Sequence, residues 1–137
     1  MKVFFKEVRV ATSKKFELVD ITSKVEEAVR ESGVKDGICL VFSPHSTVAL
    51  IVNEREEGLM EDLITKVREE YPEDRGWKHN LIDDNAHAHL ASSFISTFRV
   101  FPVEGGRLIR GTWQNVFLLE LDGPRSARRV LIEVLGI

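Results

Sequence analysis

The chain has a single cysteine in 137 residues, so no internal disulfide forms and the fold must be held by packing alone. That residue, Cys39, lies inside "GICLVF" and reads as a small buried hydrophobe rather than a nucleophile. Long apolar runs are also missing. None approaches the ~18 residues of a membrane-spanning helix, and "MKVFFKEVRV" alternates and carries charge where a signal peptide would have its apolar centre. A cytoplasmic protein is expected. Lys and Arg nowhere cluster: 19 basic residues stand against 22 acidic ones, for a formal net charge of −3. Electrostatic binding to nucleic acid or to a membrane surface is therefore not expected. There is no repeat and no low-complexity linker, and the length is that of one ordinary domain with room for a real core.

What is present is a chain of short elements. "VFFKEVRV" and "FELVDI" are rich in β-branched and aromatic residues and predict two strands joined around "ATSKK". "TSKVEEAVRESG" changes period: Val25, Ala28 and Val29 make an apolar stripe, Ser23 and Glu26 match a capping box, and Gly33 suits the position after a helix. "GICLVFSP" and "STVALIV" are compact apolar runs bounded by Gly37, Pro44 and Asn53, as buried strands would be. In "GLMEDLITKVREEYP" the residues Leu59, Met60, Leu63, Ile64 and Val67 recur at helical spacing, and Pro72 ends the element. After residue 97, "TFRVFPV", "GRLIR", "WQNVFLLEL" and "RRVLIEVL" read as strands between the turn signals "EGG", "GT" and "DGPRS". Two or three helices thus interrupt seven or eight strands without regular alternation. The expected class is α+β, with an antiparallel, sandwich-like core.

Four histidines carry the candidate chemistry. "DNAHAHLASSFIS" reads as a helix, with Asp83, Asp84 or Asn85 as its cap. At ~100° per residue His89 then shares a face with Asn85, Ser92, Ser93 and Ser96, while His87 shares another with Leu90, Ala91 and Phe94. The two rings point apart, so one ion cannot take both; two ligands on one helix face need a spacing of three or four. His89 is the site candidate and His87 a core residue. His45 stands in the polar break "SPHST" between two buried strands, where a rigid frame can present it. His79 lies in the aperiodic "YPEDRGWKHN", where a plain surface residue is the competing reading. Glu54 follows an apolar run with no packing reason to be there, and Asp62 lies off the apolar stripe of its helix, where a solvated carboxylate is an equally good reading.

The blocks "SPHSTVALIVNE", "EDL", "WKHN", "DNAHAHL", "GTWQNV" and "PRSARRV", in this order, resemble the signature of the YjbQ family, whose members are described as secondary thiamine-phosphate synthases. The resemblance spans nearly the whole chain. It implies a compact α+β unit with a β-sandwich, assembled as a homotrimer. It also implies a site in which His45, His79 and His89 hold a divalent ion, zinc or magnesium, and Glu54 and Asp62 act in catalysis. Thr47, Asn85, Trp113, Gln114, Arg128 and Arg129 would bind a small phosphorylated substrate. In that reading a thiazole phosphate displaces pyrophosphate from a hydroxymethylpyrimidine pyrophosphate, arginines (Arg125 among them) clamp phosphate, and Trp113 stacks on a flat ring. Arg128 and Arg129 alternate across a strand, so one of the two should face the site. A metal-dependent hydrolase of a small phosphorylated compound and a non-catalytic ligand-binding trimer are the competing functions.

Overall fold

A computed structural model describes all 137 residues. Strand β1 (Lys2–Val10) pairs along its length with the last strand, β8 (Arg128–Gly136), from Lys2 opposite Gly136 to Val10 opposite Arg128. The other edge of β8 takes β3 (Gly37–Phe42), which pairs with β5 (Phe98–Glu104), which in turn pairs with β6 (Arg107–Leu108). A second sheet has the order β2 (Glu17–Asp20), β7 (Asn115–Glu120), β4 (Val48–Asn53). All pairings are antiparallel. Three helices complete the chain: α1 (Thr22–Ser32), α2 (Glu57–Glu70) and α3 (Ala86–Ile95), with a 3-10 turn at Lys78–Leu81.

The main core lies between the sheets. Cys39, Val41, Val130, Ile132 and Val134 of the large sheet meet Val48, Leu50, Val116 and Leu118 of the small one, with Val25, Ala28 and Val29 of α1 closing the end. The opposite face of the small sheet, Ala49, Phe117 and Leu119, packs under Val67 of α2 and Ala88 and Ala91 of α3. The small sheet is thus covered on both faces, which explains why β4 and β7 are continuous apolar runs rather than alternating ones. Burial pushes the Cys39 thiol up to about 12, in keeping with a packing role.

The outer face of the large sheet has no cover within the chain. Val3, Phe5, Ile38, Phe98 and Val100 point outward and remain 43–63% exposed, and Phe42 and Phe98 lie directly opposite one another there.

Three local expectations need correction. Helix α1 starts two residues early, with Ile21 in the cap position, so Ser23 and Glu26 form no capping box. The Asp20 carboxylate, a stronger acceptor than a serine hydroxyl, takes both the Thr22 amide (2.9 Å) and the Thr22 hydroxyl (2.6 Å). At α3, Asn85 stands in the cap position without capping; the first amide, Ala86, instead donates to Asn80 Oδ1. Phe94 is 75% exposed and stacks on Tyr71, so the buried face of α3 is His87, Ala88, Ala91 and Ser92.

Gly37 shows how closely β3 and β8 approach. A Cβ there would sit 2.0 Å from the Leu135 carbonyl oxygen and 2.8 Å from Gly136 Cα. Gly37→Ala is expected to cost at least the ~1–3 kcal/mol typical of overpacking, read as a lower urea midpoint with an unchanged slope.

Candidate functional site

The site begins with a buried ion pair that fixes a loop. Glu120, at the end of β7, is fully buried and accepts from Arg128 Nε (2.9 Å) and Nη2, from the Thr12 hydroxyl (2.7 Å) and from the amides of Leu121 and Asp122. The same Arg128 Nη2 donates to the Thr47 hydroxyl at 3.0 Å. Ser43 donates its amide to the Thr97 carbonyl and its hydroxyl to the Arg129 carbonyl. The "SPHST" loop is therefore tied at both ends, with His45 between the ties. His45 Nε2 accepts the Arg129 amide at 2.9 Å, which places its proton on Nδ1. Burial, reinforced by the positive charges of Arg128 and Arg129, holds its pKa below the usual value.

Across from it stands His89. The two rings line one open groove of about 430 Å³ with the hydroxyl-bearing residues Ser43, Ser46, Ser92, Ser93 and Thr97. The helical-face argument thus put His89 with the right neighbours. His87 is on the other side, buried, its Nε2 donating to the Leu121 carbonyl at 3.1 Å.

His79 joins from the 3-10 turn. Its ring lies edge-on to that of His89, centroids 4.8 Å apart at 78°. Asn85 Nδ2 donates to Asp122 Oδ2 at 2.9 Å, and its Oδ1 is 3.1 Å from His79 Nε2. An ionised carboxylate only accepts, so Asp122 sets the amide orientation, and Oδ1 in turn makes Nε2 the protonated nitrogen of His79. The lone pair is left on Nδ1. Asp122, which reads as part of a turn in "DGPRS", is a positioning residue that sequence reasoning missed. Asp122→Ala is expected to free the amide and mix the two His79 tautomers, visible in the ring ¹⁵N shifts of His79 with those of His87 unchanged.

Several expected members lie elsewhere. His45 and Thr47 precede β4 and Glu54 follows it, so a six-residue strand, ~20 Å at about 3.3 Å per residue, separates Glu54 from the histidines. Trp113 and Gln114 share that far end, since Asn115 pairs with Asn53 while Glu120 pairs with Val48. Trp113 is 70% exposed, and Gln114 Oε1 accepts the Gly111 amide. Asp62 is exposed on α2 and does not line the groove. The arginines alternate as expected, but neither is a free phosphate clamp: Arg128 is buried against Glu120 and Thr47, and Arg129 is paired with Glu7. Arg125 is paired with Asp122.

The three-histidine metal seat is not assembled by one chain either. No three His, Cys, Asp or Glu side chains converge in a geometry that would hold an ion. The acceptor nitrogen of His45 is already used by the Arg129 amide.

The family described as UPF0047 protein YjbQ-like matches residues 6–137. The chain belongs to the YjbQ/UPF0047 family. It is 43% identical to a UPF0047 protein of Archaeoglobus fulgidus, over 94% of this chain and 99% of that one. It is 36% identical to UPF0047 protein YugU of Bacillus subtilis, over 96% and 98%. The crystal structure of a YbjQ-like protein from Sulfolobus solfataricus, 59% identical, superposes with a TM-score of 0.98 over 99% of both chains. A YjbQ/UPF0047 protein of Clostridium acetobutylicum, 34% identical, superposes at 0.90 over 95% of this chain and 99% of that one. The YjbQ fold expected from the sequence is therefore the fold found, with a helical layer added to the two sheets.

Proposed function

We propose that the groove between His45 and His89 binds the phosphate-bearing part of a small molecule, and that the reaction is the condensation expected of a secondary thiamine-phosphate synthase. The observation that carries this is the pairing of a neutral, loop-pinned His45 with His89 across a wall of hydroxyls. In that reaction the ring nitrogen of the thiazole phosphate attacks the methylene carbon of the pyrimidine. The carbon–oxygen bond to diphosphate breaks, and its electron pair leaves on the diphosphate oxygen. The attacking nitrogen carries no proton, so no general base is needed. What the chemistry asks for is hydrogen-bond donors at the departing charge, and the Nδ1–H of His45 and the serine and threonine hydroxyls are of that kind. The distance of Glu54 from the groove is compatible with this.

A metal-dependent hydrolase would need a resident ion and a base beside it, and one chain does not bring three donors together. A divalent ion would serve here only as the counter-ion of diphosphate. We propose in addition that the protein works in the cytoplasm as the homotrimer implied by the family resemblance, using the uncovered apolar face of the large sheet as the contact. Phe42 lies on that face and also lines the groove, so assembly would close in beside the site. No helix is long and apolar enough to cross a membrane.

The test is a product assay with both thiamine precursors and magnesium, manganese or zinc. Thiamine phosphate should form, and form more slowly with His45→Ala or His89→Ala. If no metal gives product, the synthase reading falls; phosphate release from either precursor alone would then favour a hydrolase, and binding without turnover a carrier.

A further inference from the structure

We infer that the uncovered face of the large sheet seats on a second copy of this chain, and that Glu133 of one copy pairs with Arg9 of the other to fix how the two faces align. This rests on the reading above that copies assemble through that face.

The strand register maps the face. Phe5, Glu133, Leu40 and Val100 stand side by side in one row across β1, β8, β3 and β5. The row through Val3 and Ile38 is wholly apolar, and the row on the other side, through Leu131 and Phe42, is apolar except for Glu7 on the edge strand β1. Glu133 is thus a lone charge set among apolar side chains on an inner strand. Its carboxylate is half-buried and has no ion-pair partner within the chain. Any partner that covers this face without offering a cation strands that charge out of water.

The same face carries the missing cation. Arg9 and Arg129 form the next row, directly opposite one another, and both lean on Glu7. Arg129 holds it at 2.7 and 2.9 Å, whereas Arg9 lies 3.3 Å away with its side chain 68% exposed. One carboxylate serves two guanidiniums, so Arg9 is the spare one. It is out of range of Glu133 on its own copy, because four residues separate Glu133 from Arg129 along β8, ~13 Å at about 3.3 Å per residue. A surplus acid and a surplus base on one face, too far apart to meet, are satisfied together when the face meets its like. The pair would form beside the groove, since the Arg129 amide is the one that holds His45.

Analytical ultracentrifugation of the full chain over a concentration series tests this, with Phe5→Glu as the control on the face and circular dichroism as the check on folding. The unmodified protein should assemble and Phe5→Glu should not. Glu133→Arg and Arg9→Glu should each raise the midpoint concentration for dissociation at least about thirtyfold, the smallest loss usual for stranding one charge of a desolvated pair. The double variant Glu133→Arg with Arg9→Glu should recover most of that loss. If Phe5→Glu dissociates the protein but the single charge variants do not, or the double variant recovers nothing, the Glu133–Arg9 pair is wrong and the reading of the face stands. If the unmodified protein is monomeric, or Phe5→Glu assembles as it does, the reading of the face falls and takes this inference with it.

Discussion

Glu120→Ala is expected to destabilise the protein by about 3–5 kcal/mol, the usual cost of stranding one partner of a buried ion pair. The carboxylate receives donors from Thr12, Arg128, Leu121 and Asp122. Without it the guanidinium of Arg128 stays buried with only Thr47 to satisfy it. Glu120→Leu combined with Arg128→Met should recover much of the loss, because a well-packed apolar pair removes both charges together. Denaturant unfolding of the three variants checks this; a loss below about 1 kcal/mol for Glu120→Ala would mean that the pair does not organise the loop. Acid should act in the same direction. Burial by itself raises the pKa of Glu120, but the bonds from Arg128 and Thr12 outweigh it and the net shift is downward. The folded state therefore binds this proton less readily than the unfolded chain. The stabilisation is complete above the ordinary carboxylate range and is lost as pH falls through the depressed value.

His89→Ala is expected to lower turnover by about 10²–10³-fold, the range for removing one hydrogen-bond donor at a developing charge. Its effect on stability should be small, since the ring is only half-buried and belongs to neither apolar cluster. Product formation and thermal unfolding measured on one preparation separate the two effects. The rate of the unmodified protein should also fall on the acid side, below the ordinary histidine pKa. Burial and the neighbouring arginines hold His45 neutral down to lower pH than usual, and once protonated it can no longer accept the Arg129 amide that pins its loop. His45→Gln, which does not titrate in this range, should lose that acid limb along with most of its rate.

The fold was legible because its elements are strongly patterned. The Leu59 to Val67 stripe, the Gly33 stop and the buried runs of β3 and β4 each obey one local rule and form as expected. The division of His87 from His89 was legible for the same reason: a helix turns ~100° per residue, and α3 is a helix. Roles that depend on distant partners were not legible. Arg128 looks like a phosphate ligand in "PRSARRV", and only folding brings Glu120 and Thr47 against it. Asp122 gives no local sign that Asn85 stands beside it. Glu54 and His45 lie close in sequence, yet an extended strand carries them to opposite ends of the small sheet.

On the proposed reading His45 and His89 face a phosphate-binding groove. The most direct test is a ¹H–¹⁵N correlation spectrum of the four histidine rings, followed as pyrophosphate is added. The expected result is saturable movement of the His45 and His89 ring nitrogens, a smaller change at His79, and none at the buried His87. Movement at none of the rings, or equal movement at all four, would contradict it.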